Sequence, residues 1–283
     1  MNNNEKFFRA IKRRNKKQII NMLKRGQDVN ICNSNGITAL QAVIGIGDLG
    51  LAKLLVKYGA DINMPGEDGC TCLEHACVYG NVDIVSYLLS LKCDMSDDSL
   101  HCAARFGDVE IAEMLIQHGA DVNRRDYSLS TPLHWAAQEG KIDVAKILIE
   151  NGAEVNTLDM GGFSPLYSTV ADNNYEFAEL LLNNGADINY TENIPPFNIA
   201  CAAKNYESIN VLLKYGADIN STDNDGRTAL FYAKVRNNHD LIEFLLNHGA
   251  DTSVVDNEGI SVKDLDNEEI RSRLYRELYE WEI

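Results

Sequence analysis

Three groups of residues in this 283-residue chain have types that can do chemistry. Cys70-x-Cys72, with His75 and Cys77 close behind, offers the thiolates and imidazole that a zinc ion prefers. Gly45-Ile46-Gly47-Asp48-Leu49-Gly50 satisfies G-x-G-x-x-G, which cradles a dinucleotide pyrophosphate where it follows a strand and opens a helix. His101 and His134 are candidate general bases, although no Ser, Cys or carboxylate is set beside either by a motif. Whether any of these groups converges depends on the elements that hold it.

Those elements are set by a repeat. Gly-Ala-Asp-x-Asn occurs at 59–63, 119–123, 185–189 and 216–220, with near copies at 26–30, 152–156 and 249–253. The steps from Gly26 to Gly59, Gly119 to Gly152, Gly152 to Gly185 and Gly216 to Gly249 are each 33 residues. Between the glycines, one unit reads Asp126 through Thr131-Pro132-Leu133-His134-Trp135-Ala136-Ala137 to Gly140, then Ile142, Val144, Ile147 and Leu148 up to Gly152. Thr131 is a helix N-cap and Pro132 fits N1, where its missing N–H costs nothing. Ala136 and Ala137 let neighbouring helices approach, and Val144, Ile147 and Leu148 form one apolar face. Gly152 supplies the left-handed residue that closes the second helix.

The unit resembles the ankyrin repeat in its turn, Thr-Pro-Leu-His, short helix, Gly turn and second helix. Weaker copies stand at Thr38-Ala-Leu-Gln41, Thr71-Cys-Leu-Glu74, Ser164-Pro-Leu-Tyr167 and Thr228-Ala-Leu-Phe231, so the resemblance covers nearly the whole chain. It implies an all-α solenoid of stacked helix-turn-helix repeats with short β-hairpin fingers, curved around a concave groove. The expectation is a single domain over 1–283, with an N-terminal capping repeat at 1–30, repeats two to eight at 31–253 and a C-terminal capping half-repeat at 254–283. Phe7, Phe8 and Ile11, then Ile19, Ile20 and Leu23, form the amphipathic helices of the first cap, and the last begins at Asp256-Asn-Glu-Gly259 and runs into Tyr279 and Trp281. One repeat cannot bury its apolar face alone, so stability must come from stacking on its neighbours.

On that repeat the chemical motifs come apart. Cys70 falls in a hairpin, Cys72 takes the Pro position and Cys77 the second Ala position, where a small buried residue belongs. Gly47 is the inter-helix glycine equivalent to Gly140, and Gly50 an outward position of the second helix. His101 and His134 follow Leu in the motif, where the resemblance implies turn hydrogen bonds. The expectation is a protein with no catalytic residues, no metal and no cofactor.

Composition narrows the setting. No segment approaches the about 18 apolar residues of a membrane span, and seven irregularly spaced cysteines fit reduced thiols in a cytosol, a host's if the source is a virus or intracellular bacterium. Net charge is −16, yet residues 1–25 hold nine Lys or Arg against Glu5, a balance of +8 that leaves −24 on the remainder. Such a body repels a nucleic-acid backbone over most of its surface and attracts basic segments. The expected partner is a protein, with a basic segment, bound by a monomer; nucleic acid is expected only as small oligonucleotides.

The period breaks twice. Lys92-Cys-Asp-Met-Ser96 stands where Gly-Ala-Asp-x-Asn is due, and Gly119 arrives six residues early, so the fourth unit loses its hairpin between Ser96 and Leu100. In the seventh, Pro195-Pro196-Phe197 replaces Thr-Pro-Leu and two residues are lost.

In proteins of this kind the residues before the inter-helix glycine line the groove. Here the second of each pair runs Ile46, Tyr79, Phe106, Glu139, Asp172, Ala203 and Arg236, an apolar strip followed by an acidic one. Hairpin positions add Tyr127, Met160 and Phe163, with Arg105, Arg124 and Arg125 nearby, and aromatic plus Arg content marks binding hot spots. The first reading is a non-enzymatic adaptor or inhibitor that holds a partner segment through Ile46, Tyr79, Arg105, Phe106, Arg125, Tyr127, Glu139, Met160, Phe163 and Asp172. The second is a sensor of an anionic small ligand or oligonucleotide, held by the arginines and aromatics of the central repeats. A third follows from resemblance alone. Leu115 with Asn123, Leu148 with Asn156, Leu181 with Asn189 and Leu212 with Asn220 resemble the sites of an asparaginyl hydroxylase.

Overall fold

The computed structural model describes residues 2–95, 98–189 and 194–279. Ser96, where the sequence begins its deletion, and Trp281 lie outside them, as does the side chain of Tyr279. Among the described residues the architecture is an all-α repeat of helix pairs, and about half the chain is helical. The hairpin fingers are shorter than strands. Antiparallel bridges form from Cys32 to Thr38, Thr222 to Thr228 and Val255 to Ser261. Each finger folds back within five residues, as where Asp159 N–H donates to the Phe163 carbonyl at 3.0 Å and Gly162 to Asp159 at 3.0 Å. It meets the next finger through single backbone bonds, such as Met160 to Ser128 at 2.8 Å, which is too little pairing for a ladder.

The chain divides into two compact units, Met1–Asp126 with Asp143–Gly152, and Tyr127–Ile142 with Ala153–Ile283. The first contains the pairs α1 (Asn3–Lys12) and α2 (Lys16–Lys24), α3 (Ala39–Gly45) and α4 (Leu49–Lys57), α5 (Cys72–Val78) and α6 (Val82–Ser90), and α7 (Ser99–Phe106) and α8 (Val109–Gln117). Its inner helices stack in the order α1, α3, α5, α7, and α4, α6 and α8 pack as a second layer. Phe7, Ile11, Ile19 and Leu23 are buried in the cap, whereas Phe8 and Ile20 are only half-buried.

The second unit begins with α9 (Pro132–Gln138), while α10 (Ile142–Glu150) lies, after its first residue, in the first unit. It continues with α11 (Pro165–Ala171), α12 (Tyr175–Asn183), α13 (Pro196–Ala203), α14 (Tyr206–Lys214), α15 (Ala229–Val235), α16 (His239–Asn247) and α17 (Glu268–Tyr279). Here α9, α11, α13, α15 and α17 stack in turn. A 3-10 turn, Asp264–Asp266, stands before α17 where an inner helix would begin. Arg227, buried between fingers, donates to Asp225 at 3.1 Å and Asp256 at 3.4 Å and so ties this last unit to its neighbour.

Two sets of polar side chains join repeat to repeat. At most of the Gly-Ala-Asp-x-Asn turns the closing Asn reaches the next turn: Asn156 donates to the Gly185 carbonyl at 2.9 Å and accepts from the Asp187 amide at 2.8 Å. Asn30 makes the same pair of bonds to Gly59 and Asp61. The Asp before it caps its own turn, as where Asn189 N–H donates to Asp187. The second set follows the motif leucine. Gln41 accepts from the Thr38 amide at 2.8 Å and donates to the Cys70 carbonyl at 2.6 Å. His134 does both with imidazole, accepting from the Thr131 amide at Nδ1 (3.1 Å) and donating from Nε2 to the Phe163 carbonyl (3.2 Å). That pattern fixes His134 as the neutral Nε2–H tautomer.

The turn that closes each outer helix needs a left-handed residue, supplied by Gly59 (φ +89°), Gly119 (+93°) and Gly152 (+89°). Lys92 is forced into the same region, with φ +56°. Replacing Lys92 by glycine should therefore stabilise the protein, by about 1 kcal/mol. Urea titration of the two forms measures the difference, and a Lys92→Gly protein of equal or lower stability would show that the turn carries no strain.

Candidate functional site

The outer helix α6 ends at Ser90 and the inner helix α7 starts at Ser99, whereas Lys57 and Cys72 bracket the equivalent connection one repeat earlier. The connection to α7 is too short for a finger. Beside it lies a cleft of ≈ 500 Å³ bounded by the preceding finger (Asp68, Gly69, Cys70), by Glu74, His75, Val78 and Tyr79 of α5 and its cap, and by Asp98 and Cys102 of α7. A second recess, sharing Val78 and Tyr79, continues to Phe106 and the start of α8. Tyr79 and Phe106 each stand one residue before a left-handed glycine, Gly80 and Gly107, which turns the chain sharply and leaves them at the rim. They are 55% and 50% exposed. Lining carboxylates are Asp68, Glu74 and Asp98 in the first recess and Asp108 and Glu110 in the second, with no Lys or Arg among the described residues of either wall. An apolar recess rimmed by one sign of charge concentrates the opposite sign.

Glu74 explains part of this. It occupies the place of Gln41 and His134 and accepts from the Thr71 amide at 2.6 Å, but a carboxylate has no proton to pass to a next finger. A carboxylate thus stands in the repeat whose neighbour lacks the finger. His75 lies beside it, with its ring 5.9 Å from that of Tyr79 and its buried Nδ1 without a partner. Burial holds the His75 pKa below its ordinary value, against the opposing pull of Asp68 and Glu74.

The ten residues expected to touch a partner fall in both units. In the first, Ile46 is half-buried, and its carbonyl accepts from the Arg14 guanidinium at 2.7 Å. Arg105 lies over the ring of its neighbour Phe106, 5.9 Å from its centroid, and Arg125 is exposed. The Tyr79 ring lies beside Gly45, at a distance where a Cβ on Gly45 would meet it in ordinary van der Waals contact. In the second unit Glu139 and Asp172 are exposed, each just before a left-handed residue, Gly140 and Asn173. Phe163 is stacked on Tyr167 with ring centroids 4.2 Å apart and is half-buried, so it packs the finger as much as it lines a surface. Tyr127 and Met160 are 88% and 68% exposed at neighbouring fingertips.

Sequence reasoning missed Val78, Asp68, Asp98 and Cys102, whose approach depends on how α5 and α7 pack. It also missed Leu129. That residue sits where Gly36, Gly69 and Gly162 close the other fingers, holds φ +58° and is 43% exposed beside Tyr127. A bulky left-handed side chain is strained, and such strain gathers at binding surfaces. The signal was available as a Leu at a 33-residue glycine register.

The remaining motifs have structural roles. Gly45 ends α3 and Gly50 lies within α4, so the glycine-rich segment follows a helix and not a strand. Burial raises the Cys72 thiol to about 12 and Cys77 well above its ordinary value, which keeps both protonated in the core. His101 bonds the Arg124 carbonyl at 3.0 Å, as a turn histidine does. Leu115, Leu148, Leu181 and Leu212 are fully buried, and the Asn123 and Asn156 amides are held by the next turn, so modification there requires local opening.

A family model for ankyrin repeats matches the chain at residues 7–99, 100–192 and 197–262, and the chain belongs to that family. No curated protein sequence matches it. Ankyrin repeats generally mediate protein–protein interaction and are typically non-enzymatic. Among the described residues no helix is long and apolar enough to cross a membrane.

Two outcomes are expected. A histidine with a depressed folded pKa is protonated more readily in the unfolded chain, so stability falls as pH drops below the unfolded value of about 6.5. Thermal midpoints measured down this range should fall less for His75→Gln than for the parent, and parallel curves would remove His75 as the cause. Leu129→Gly should relieve the fingertip and raise stability by about 1 kcal/mol, read by chemical denaturation.

Proposed function

We propose that the protein is a non-enzymatic adaptor or inhibitor that captures an extended segment of a partner protein in the recess beside α5 and α7. The observation that carries this reading is the pair of half-exposed aromatics, Tyr79 at the rim of the apolar recess between α5 and α7 and Phe106 on the adjoining recess that shares Tyr79 and Val78. Large aromatic side chains at such a rim are the usual anchors of an interface. Asp68, Glu74 and Asp98 then favour Lys or Arg next to the anchor in the bound segment. The rigid helix stack adds to affinity, because little ordering of the receptor opposes binding.

Selection of a displayed random peptide library on the intact chain tests this. Enriched peptides should carry an aromatic or large aliphatic residue followed by Lys or Arg. Tyr79→Ala or Phe106→Ala should weaken a selected peptide by about 2 kcal/mol while leaving the helical circular dichroism and melting curve unchanged. Asp98→Lys should act mainly on the association rate. Peptides that bind the Tyr79→Ala, Phe106→Ala double variant as tightly as the parent would move the binding face elsewhere.

A further inference from the structure

The N-terminal pair α1 and α2 has a use that the recess does not absorb. Lys6, Arg9, Lys12, Arg13, Arg14, Lys16, Lys17, Lys24 and Arg25 are all exposed. Among the described residues none of the nine has a carboxylate within ion-pair distance, in a protein of net charge −16. The nearby acids are used otherwise: Glu5 accepts from the Asn2 amide at 3.1 Å and Asp28 from the Asn30 amide at 2.9 Å. Between the start of α1 and the length of α2 runs a cleft of ≈ 980 Å³. Lys6, Lys17 and Arg25 face it against the single lining carboxylate, Asp28, among the described residues, and most of its remaining wall is amide, including Asn3, Asn21 and Gln27.

We propose that this cleft binds the phosphodiester backbone of a nucleic-acid duplex. Cations without internal partners, set among amide donors, match a chain of phosphates and sugar oxygens. A single strand would need aromatic faces on which its bases stack, but Phe7 is fully buried and Phe8 half-buried against it, with centroids 6.4 Å apart. A lipid surface would be met by apolar residues on the outer face, whereas Ala10, Ile11, Ile19 and Leu23 face inward. The recognition is therefore electrostatic and indifferent to sequence. It departs from the expectation drawn from overall charge, because the cations are gathered on one helix pair.

The test uses the full chain, a short labelled DNA duplex and phosphatidylserine vesicles. Binding of the duplex should be clear at low salt and weaken steeply as salt rises. Replacing Lys6, Lys17 and Arg25 by Gln together should weaken it ten-fold or more and make the slope of log affinity against log salt shallower by about 3. A control with Lys57, Lys146 and Lys263 replaced by Gln should bind as the parent does, as should the Tyr79→Ala, Phe106→Ala variant. Circular dichroism of each variant checks the fold. Absence of duplex binding at low salt, equal losses in the cleft and control triples, or binding to vesicles with none to the duplex would each overturn the proposal.

Discussion

Most of the repeats are joined by a polar clamp that one repeat cannot make alone. The side-chain amide of Asn156 spans to the next turn, giving its N–H to the Gly185 carbonyl and taking one from the Asp187 amide. Both partners are backbone groups that a tight turn leaves without helical bonds, and leaving them dry would cost more than the clamp contributes. The bonds hold only if successive turns lie one repeat apart in space, which ties the 33-residue spacing to the stacking distance of the helices. The helix faces follow. With the turns fixed, Leu148 and Val144 on one pair, like Leu181 and Phe177 on another, are carried into the buried interior. Polar geometry sets the register, and apolar burial supplies most of the stability.

Where the register is broken, the strain and the openings appear. Lys92 takes a left-handed turn that glycine takes elsewhere, and the following connection is too short for a finger. The neighbouring motif position then holds Glu74, an acceptor with no proton to give to a next finger, and the buried Nδ1 of His75 has no partner. In a regular repeat those groups would meet the next finger. Left uncovered, they become the wall of a recess with Tyr79 and Phe106 at its rim. Leu129 is a separate break, in the other unit, where a strained residue adds apolar surface to a fingertip. The same physics that favours uniform repeats thus leaves strain and uncovered surface at the irregular ones.

Charge follows the same division. Carboxylates recur because the turn needs an Asp to accept from the amide two residues on, as Asp61 does for Asn63. That structural requirement accounts for part of the body's acidity whatever its partner. On α1 and α2 some of the cations have structural uses, Arg14 in its bond to the Ile46 carbonyl and Arg9, Lys12 and Lys24 at helix C-termini, whereas Lys6, Lys17 and Arg25 face the cleft.

The sequence by itself determined the period, the helix pairs, the left-handed glycines and the burial of residues such as Ala136, Cys77 and Leu115, because these depend on local conformation repeated at a fixed spacing. It also placed Tyr79 and Phe106 at the surface, since position in the motif fixes direction. It could not show that hairpin fingers would shrink to single bridges, which depends on how few bonds one finger offers the next. Nor could it show that Phe163 stacks on Tyr167, or that Asp68 meets Asp98 and Cys102 across a recess. Asp68 lies 30 residues before Asp98, and only the packing of α5 against α7 brings them together. Tertiary structure decided them because a repeat motif specifies each repeat in isolation, while this recess exists only between one repeat and the next.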